Sequence, residues 1–183
     1  MSGHRCSWFL ILVVLAVLAS RAAPAATYYV NDASCSEPGS ECTAGGNDAN
    51  DGLTVSTPMR HIQALLDKYP NMGTGDTLWA DPGTYEECVR ITSGHSGLTL
   101  EGACRAAVIN ANLQGSCVFL DRANAVTIRG FTIQYGYASW GGGVRVDATG
   151  VVIRDNYIMS NMASGYFGGG GISVYCQFGG GAS

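Results

Sequence analysis

The sequence predicts an all-β chain wound as a parallel β-helix, with one short α-helix ahead of the coils. Three observations lead there. Glycine makes up 26 of the 183 residues, about twice average usage. Charged residues are only 13% while hydrophobic residues are 46%, so the chain has a core to bury and is not a disordered polyampholyte. From Leu98 onward, short runs of alternating apolar and polar residues recur every 25–28 residues, the pattern of a solenoid built from strands. Collagen is excluded, since glycine has no strict three-residue period and only five prolines occur. A net charge of −4 argues against a basic nucleic-acid binder.

Residues 1–26 read as a secretory signal peptide. His4 and Arg5 give a weakly positive start, Trp8 to Ala19 an apolar run, and Ala23-Pro24-Ala25 a small-x-small cleavage site. The run is shorter than the roughly 20 residues a membrane span needs. The mature chain is therefore expected to be secreted, extracellular or at the cell surface, with no span of its own. It keeps 8 bases, 14 acids and six cysteines. An even number in an exported chain permits disulfides, and the favoured pairs are Cys35–Cys42, across a short loop, and Cys104–Cys117. The competing use of a cysteine is as a small buried hydrophobe.

Residues 27–75 form the next unit. Thr27–Val30 is β-rich and predicts the first strand. Residues 31–56 are polar and carry Asp32, Glu37, Glu41, Asp48 and Asp51 without a Lys or Arg. Thr57-Pro58 predicts a helix start, a capping residue followed by proline at the first helical position. Met59, Ile62, Leu65, Leu66 and Tyr69 make one apolar stripe, and Pro70 ends it.

Residues 76–183 carry about four coils. Val126–Arg129 aligns with Val151–Arg154, Leu98–Glu101 with Val126–Arg129, and Gly141–Val146 with Gly169–Val174. Helical repeats are excluded by the short runs and their period of two. In a parallel β-helix each strand pairs with its equivalent one coil away, about 4.8 Å distant, and glycine serves the sharp corners. Val126, Ile128, Ile133, Val144 and Val146 are expected inside, with Val151, Ile153, Ile158, Ile172 and Val174. Glu101, Arg129 and Arg154 should form one outward column, the first pair attractive, the second repulsive unless another group intervenes. The glycine-rich end Gly179–Ser183 supplies no cap, and repeat arrays need capped ends, so a longer solenoid is expected.

Several residues are candidates for chemistry. Val118–Asp121 aligns with Val144–Asp147, which would stack Asp121 on Asp147. Such a pair could share Ca²⁺, an ion that takes clustered oxygens, or raise one pKa for acid–base work; two exposed turn acids are the plain alternative. Asp48, Asn50 and Asp51 lie in an Asn-Asp-Ala-Asn-Asp-Gly run with the look of a calcium loop. The run departs from the EF-hand frame at Ala49 and is equally a strong turn signal. Tyr135, Tyr137 and Trp140, with Tyr166, lie near glycine turns and could stack on sugar rings or simply pack over backbone. Asn156 and Asn161 suit an amide ladder inside the turns. Gly94-His95-Ser96-Gly97 lacks the frame of a nucleophile elbow. No motif requires a cofactor.

The segments YYVNDAS…NDANDG, TPMRHIQALL, GDTLWADPGTY and GLTLEGA resemble the N-terminal part of pectate-lyase-like right-handed parallel β-helix proteins. FTIQYGYASWGGGV and YIMSNMASGYFGGGGI are similar to the glycine-rich repeats of polymorphic outer-membrane proteins. The resemblance covers nearly all of the mature chain and is specific for fold, not activity. It implies a right-handed solenoid whose N-terminal end is plugged by the Thr57–Tyr69 helix. Lyases of that superfamily use a basic residue beside a uronate carboxylate, often with calcium. Here the lone Lys68 falls on the helix, while Arg129, Arg145 and Arg154 fall on the coils. The expected function is a secreted or cell-surface β-helix module acting as scaffold, adhesin or carbohydrate-binding surface, its partner a polysaccharide or cell-surface glycan. The alternative is a polysaccharide lyase or glycoside hydrolase whose catalytic coils lie beyond this chain.

Overall fold

A computed structural model describes residues 24–165 and 168–175. Residues 1–23 of the expected leader over residues 1–26, together with Tyr166 and Cys176, lie outside the described residues. Strand β1 (Thr27–Val30) comes first and helix α1 (Ile62–Lys68) follows the acidic loop. The first coil holds β2 (Thr77–Ala80), β3 (Gly83–Tyr85) and β4 (Val89–Thr92). The second holds β5 (Thr99–Gly102), β6 (Ala107–Asn110) and β7 (Val118–Asp121). The third holds β8 (Thr127–Arg129), β9 (Phe131–Gln134), β10 (Tyr137–Ala138) and β11 (Val144–Asp147). The fourth holds β12 (Val152–Arg154), β13 (Tyr157–Met159), β14 (Met162–Ala163) and β15 (Ile172–Val174).

The strands pair one coil to the next and always in parallel. The first sheet runs β1-β2-β5-β8-β12, the second β3-β6-β9-β13 and the third β4-β7-β11-β15, with β10-β14 a short fourth. The chain is thus a parallel β-solenoid of about four turns. Period-two alternation turns the apolar residue of each strand inward, so the core consists of stacked columns. Val89, Val118 and Val144 form one such column and Ile91, Leu120 and Val146 the next. Each fully buried aliphatic side chain contributes roughly 1.5–3 kcal/mol.

Five of the ten expected inward positions, Val126, Ile128, Ile133, Val144 and Val146, are buried, and the half-buried Val151, Ile153 and Ile158 pack against the core. Ile172 and Val174 differ. They are in register with Val144 and Val146 yet are 43% and 60% exposed. Among the described residues no strand stacks on the far side of β15.

The helix begins later than Thr57-Pro58 predicts. Thr57 Oγ1 donates to Asp51 at 2.7 Å, and Met59 makes a parallel bridge to Val30, so this stretch is held beside β1 and is not helical. The position before the helix is His61, and the first helical N–H groups are satisfied from the coils. Glu87 accepts from Ile62 at 2.9 Å and from Gln63 at 2.8 Å. Ile62, Leu65 and Leu66 are fully buried. The side chain of Gln63 accepts the N–H of Arg90 at 2.7 Å, which satisfies a donor on the outer edge of β4 and blunts that edge.

Two features turn the corners. Gly102 and Gly130 follow each other on adjacent coils of the first sheet. Gly130 has φ +79, and a Cβ there would lie 2.2 Å from the Gly102 carbonyl oxygen; only glycine fits both conditions. Asn156 and Asn161, both on the fourth coil, meet backbone groups of the neighbouring coil and not the stacked amides of the expected ladder. Each amide bonds the backbone of the coil beneath. Asn156 accepts from Phe131 N–H at 2.9 Å and donates to Ile128 O at 2.9 Å, and Asn161 accepts from Gly136 N–H at 2.8 Å and donates to Ile133 O at 2.9 Å.

Neither expected disulfide is formed. Cys35, Cys42, Cys88, Cys104 and Cys117 are free thiols. Cys42 is buried where its backbone N–H meets Asp81, and Cys117 is buried at the mouth of β7 while Cys104 is exposed after β5. Cys104 and Cys117 belong to different sides of the coil, so the coil cross-section separates them.

Candidate functional site

The third sheet presents the richest outward face. Its register places Arg90, Phe119, Arg145 and Ser173 in one column, and Thr92, Asp121 and Asp147 in the next. Outward positions of neighbouring coils stand about 4.8 Å apart, so chemistry placed there forms a continuous strip. The Phe119 ring lies between two guanidiniums, Arg145 at 4.3 Å and Arg90 at 5.8 Å. Arg145 also lies 5.8 Å from the Trp140 ring, and Trp140 stacks on Tyr175 at 5.9 Å and 16°. Cation–π contacts of this kind contribute roughly 0.5–1 kcal/mol each at exposed sites, and they keep the guanidiniums beside the rings. The strip borders an open cleft of about 310 Å³ lined by Cys88, Arg90, Ser116, Phe119, Ala138 and Arg145.

The structure brings Asp121 and Asp147 together as the alignment predicts, in direct register. The Asp121 carboxylate is already engaged. Arg90 Nη2 donates to its Oδ2 and Arg122 Nε to its Oδ1 at 3.1 Å. The Arg90 guanidinium first, and that of Arg122 after it, hold the Asp121 carboxyl below the usual carboxylate range. Among the described residues no three His, Cys, Asp or Glu side chains are grouped as a metal cage. The thiols beside the cleft are held protonated. Burial pushes the Cys88 thiol up, and burial pushes that of Cys117 up to about 11. What the face offers to solvent is guanidinium donors and aromatic rings.

The aromatic candidates divide. Trp140 is built into the strip. Tyr137 is exposed on β10, next to Ala138, which lines the cleft. Tyr135 is exposed in the turn before it, at φ +56, and its carbonyl accepts the Leu113 N–H at 2.7 Å.

Asp48, Asn50 and Asp51 lie elsewhere, in the loop that packs on α1, and each has a structural task. Asp48 accepts from the N–H groups of Arg60 and His61 at 3.0 Å, and meets His61 Nδ1 at 2.6 Å. Burial works against its charge, but these hydrogen bonds hold its pKa low. Asn50 donates to Pro58 O at 2.9 Å, and its own carbonyl accepts from Lys68 Nζ at 2.5 Å. Asp51 accepts from Thr57 and from Leu53 N–H, and these bonds lower its pKa. This is turn chemistry. His95 is buried, with Nε2 3.2 Å from the carbonyl of Leu66 in α1, and so ties the first coil to the helix.

Arg90 and Phe119 are not among the candidates that the sequence pattern singles out, although it holds a signal for them. Val89-Arg-Ile-Thr92 aligns with Val118-Phe-Leu-Asp121 at an offset of 29, the same repeat one coil earlier. The fold and this face define the class, a parallel β-solenoid with an arginine–aromatic strip on one sheet. Comparison with family models, with curated proteins and with solved structures finds no match to this chain. Among the described residues no helix is long and apolar enough to cross a membrane.

Proposed function

We propose that the chain is an exported β-helix module of the pectate-lyase-like kind that serves as a scaffold or adhesin and binds polysaccharide on its third sheet. The observation that carries this reading is the unbroken row Arg90–Phe119–Arg145–Trp140 beside an open cleft. Flat rings offer stacking surface to the apolar face of a sugar. Guanidiniums in fixed orientation bind carboxylates in bidentate fashion, so an acidic glycan suits the row better than a neutral one. A binding role fits the groups present: of the two carboxylates on the face, Asp121 is neutralised by two arginines, and an arginine side chain stays protonated at ordinary pH.

Affinity electrophoresis through gels containing polygalacturonate tests this. Retardation is expected for the native chain and should weaken about tenfold in Arg145→Gln and in Trp140→Ala. Migration unaffected by any polyuronate would overturn the glycan reading. The same incubation, followed at the absorbance of unsaturated uronate products, separates a binder from a lyase: product release would replace the scaffold role with an enzymatic one.

A further inference from the structure

The first sheet carries a second charged cleft, of about 340 Å³, on another side of the solenoid. Glu101, Arg129 and Arg154 line it as the outward column of that sheet, joined by Arg105 and Asp155. Arg129 Nη2 donates to Glu101 Oε2 at 2.5 Å, and Arg154 Nη1 to Asp155 Oδ2 at 2.6 Å. Each arginine of the stacked Arg129–Arg154 pair thus has its own carboxylate, Glu101 for the first and Asp155 for the second. Arg105 comes from the turn between β5 and β6, where Cys104 at φ +48 and Arg105 at φ +69 both take the left-handed conformation. Its guanidinium lies 4.3 Å from the centre of the Tyr157 ring, so it is held in place by an aromatic face and makes no ion pair among the described residues.

Three guanidiniums therefore meet only two carboxylates around one cavity. The surplus is positive, and two of the arginines are register neighbours that repel. In addition, Arg129 Nε is buried without a partner, a donor whose unmet bond costs about 1–3 kcal/mol. An entering oxyanion would supply acceptors to the exposed guanidinium N–H groups and cancel the surplus charge. The cleft is ample for one tetrahedral anion.

We propose that this cleft binds a sulfate or phosphate group, with Arg105 and Arg154 as its main ligands and Arg129 behind them. Glu101 and Asp155 orient the guanidiniums and keep the site from taking more than one such group. The proposal is independent of the glycan strip on the third sheet.

Isothermal titration with inorganic sulfate, inorganic phosphate and glycerol phosphate, at constant ionic strength set with chloride, provides the test. One saturable site is expected, weakened about tenfold in Arg105→Asn and in Arg154→Gln and unchanged in Arg60→Gln. Asparagine is chosen because it tolerates positive φ, so the first variant keeps the turn; far-UV circular dichroism melting verifies the fold of each. Binding of glycerol phosphate as tightly as free phosphate assigns the site to the terminal group of a larger ligand, whereas binding of the inorganic ions alone assigns it to the free anion. No saturable heat with any of the three would overturn the proposal, and so would identical affinities in the native chain and the two cleft variants.

Discussion

The carboxylate of Asp81 accepts the backbone N–H of Cys42 at 2.9 Å, across 39 residues of sequence. Three further donors converge on the same group. They are Glu41 N–H at 2.8 Å, Trp79 Nε1 at 3.1 Å and the Ser40 hydroxyl. Asp81 is fully buried, and its side chain pins the long acidic loop onto the first sheet.

Asp81→Asn should therefore destabilise the chain by about 2–3 kcal/mol, since hydrogen bonds to a charged group are the strong ones. Urea denaturation at neutral pH measures it. Burial favours the neutral acid, but the four donors outweigh it and hold the folded pKa below the ordinary value. A lowered pKa means stability present above the unfolded value of about 3.9 and lost as pH falls through the folded pKa. The variant should lack that part of the acid transition.

Glu87 behaves with the opposite sign. Burial raises its pKa, and the N–H groups of Gln63 and Ile62 only partly offset the effect. The folded state then binds the proton more tightly than the unfolded state. Its contribution is complete below the unfolded pKa of about 4.3 and declines as pH rises through the folded value. Glu87→Gln should flatten the fall of the melting temperature as pH rises above the unfolded pKa, relative to the native chain. A slope identical in both proteins would remove Glu87 as its source.

The coils are legible in the sequence because stacking repeats chemistry at fixed offsets. Glu101, Arg129 and Arg154 align in sequence and sit in register, as do Asp121 and Asp147. The earlier coils are harder to read because their lengths differ. Thr77 pairs with Thr99, only 22 residues on, and Thr27 with Thr77, 50 residues on, because the loop and helix are inserted between. That irregularity hides Arg90, and with it the first-coil end of the third-sheet face. Thr57-Pro58 misleads for a different reason. The dipeptide suits a helix start locally, but Met59 gains a bridge to Val30, and tertiary pairing overrides propensity. Glu87, which caps the helix, is distant in sequence and beyond the reach of any local capping rule.

Glycine substitutions should separate strain from collision. Gly39 has φ +87 and open space within 4 Å of where a methyl group would sit, whereas Gly130 has φ +79 and the Gly102 carbonyl oxygen at 2.2 Å from that position. Gly39→Ala should cost about 1–2 kcal/mol, the strain of a left-handed alanine. Gly130→Ala carries the same strain and must also push two coils apart, so a loss about twice as large is expected, read from urea midpoints. Equal losses would mean that the corner yields without resistance.

Asn161 offers the sharpest test of the corner amides. Its Oδ1 accepts from Gly136 N–H at 2.8 Å and lies 3.4 Å from Cys117 Sγ, while Nδ2 donates to Ile133 O at 2.9 Å. Asn161→Ala strands a donor and an acceptor in a half-buried corner and should cost about 1–3 kcal/mol. Asn161→Asp keeps the acceptor but sets a carboxylate against the Ile133 carbonyl. Protonation restores the missing donor, so the introduced carboxyl should have a raised folded pKa. The stability of this variant should therefore be closest to the native chain in mild acid and fall away as pH rises through that pKa. Chemical denaturation at several pH values from about 4 to 8 reads this directly. A deficit independent of pH would show that the Ile133 hydrogen bond contributes nothing and that the amide acts through Gly136 alone.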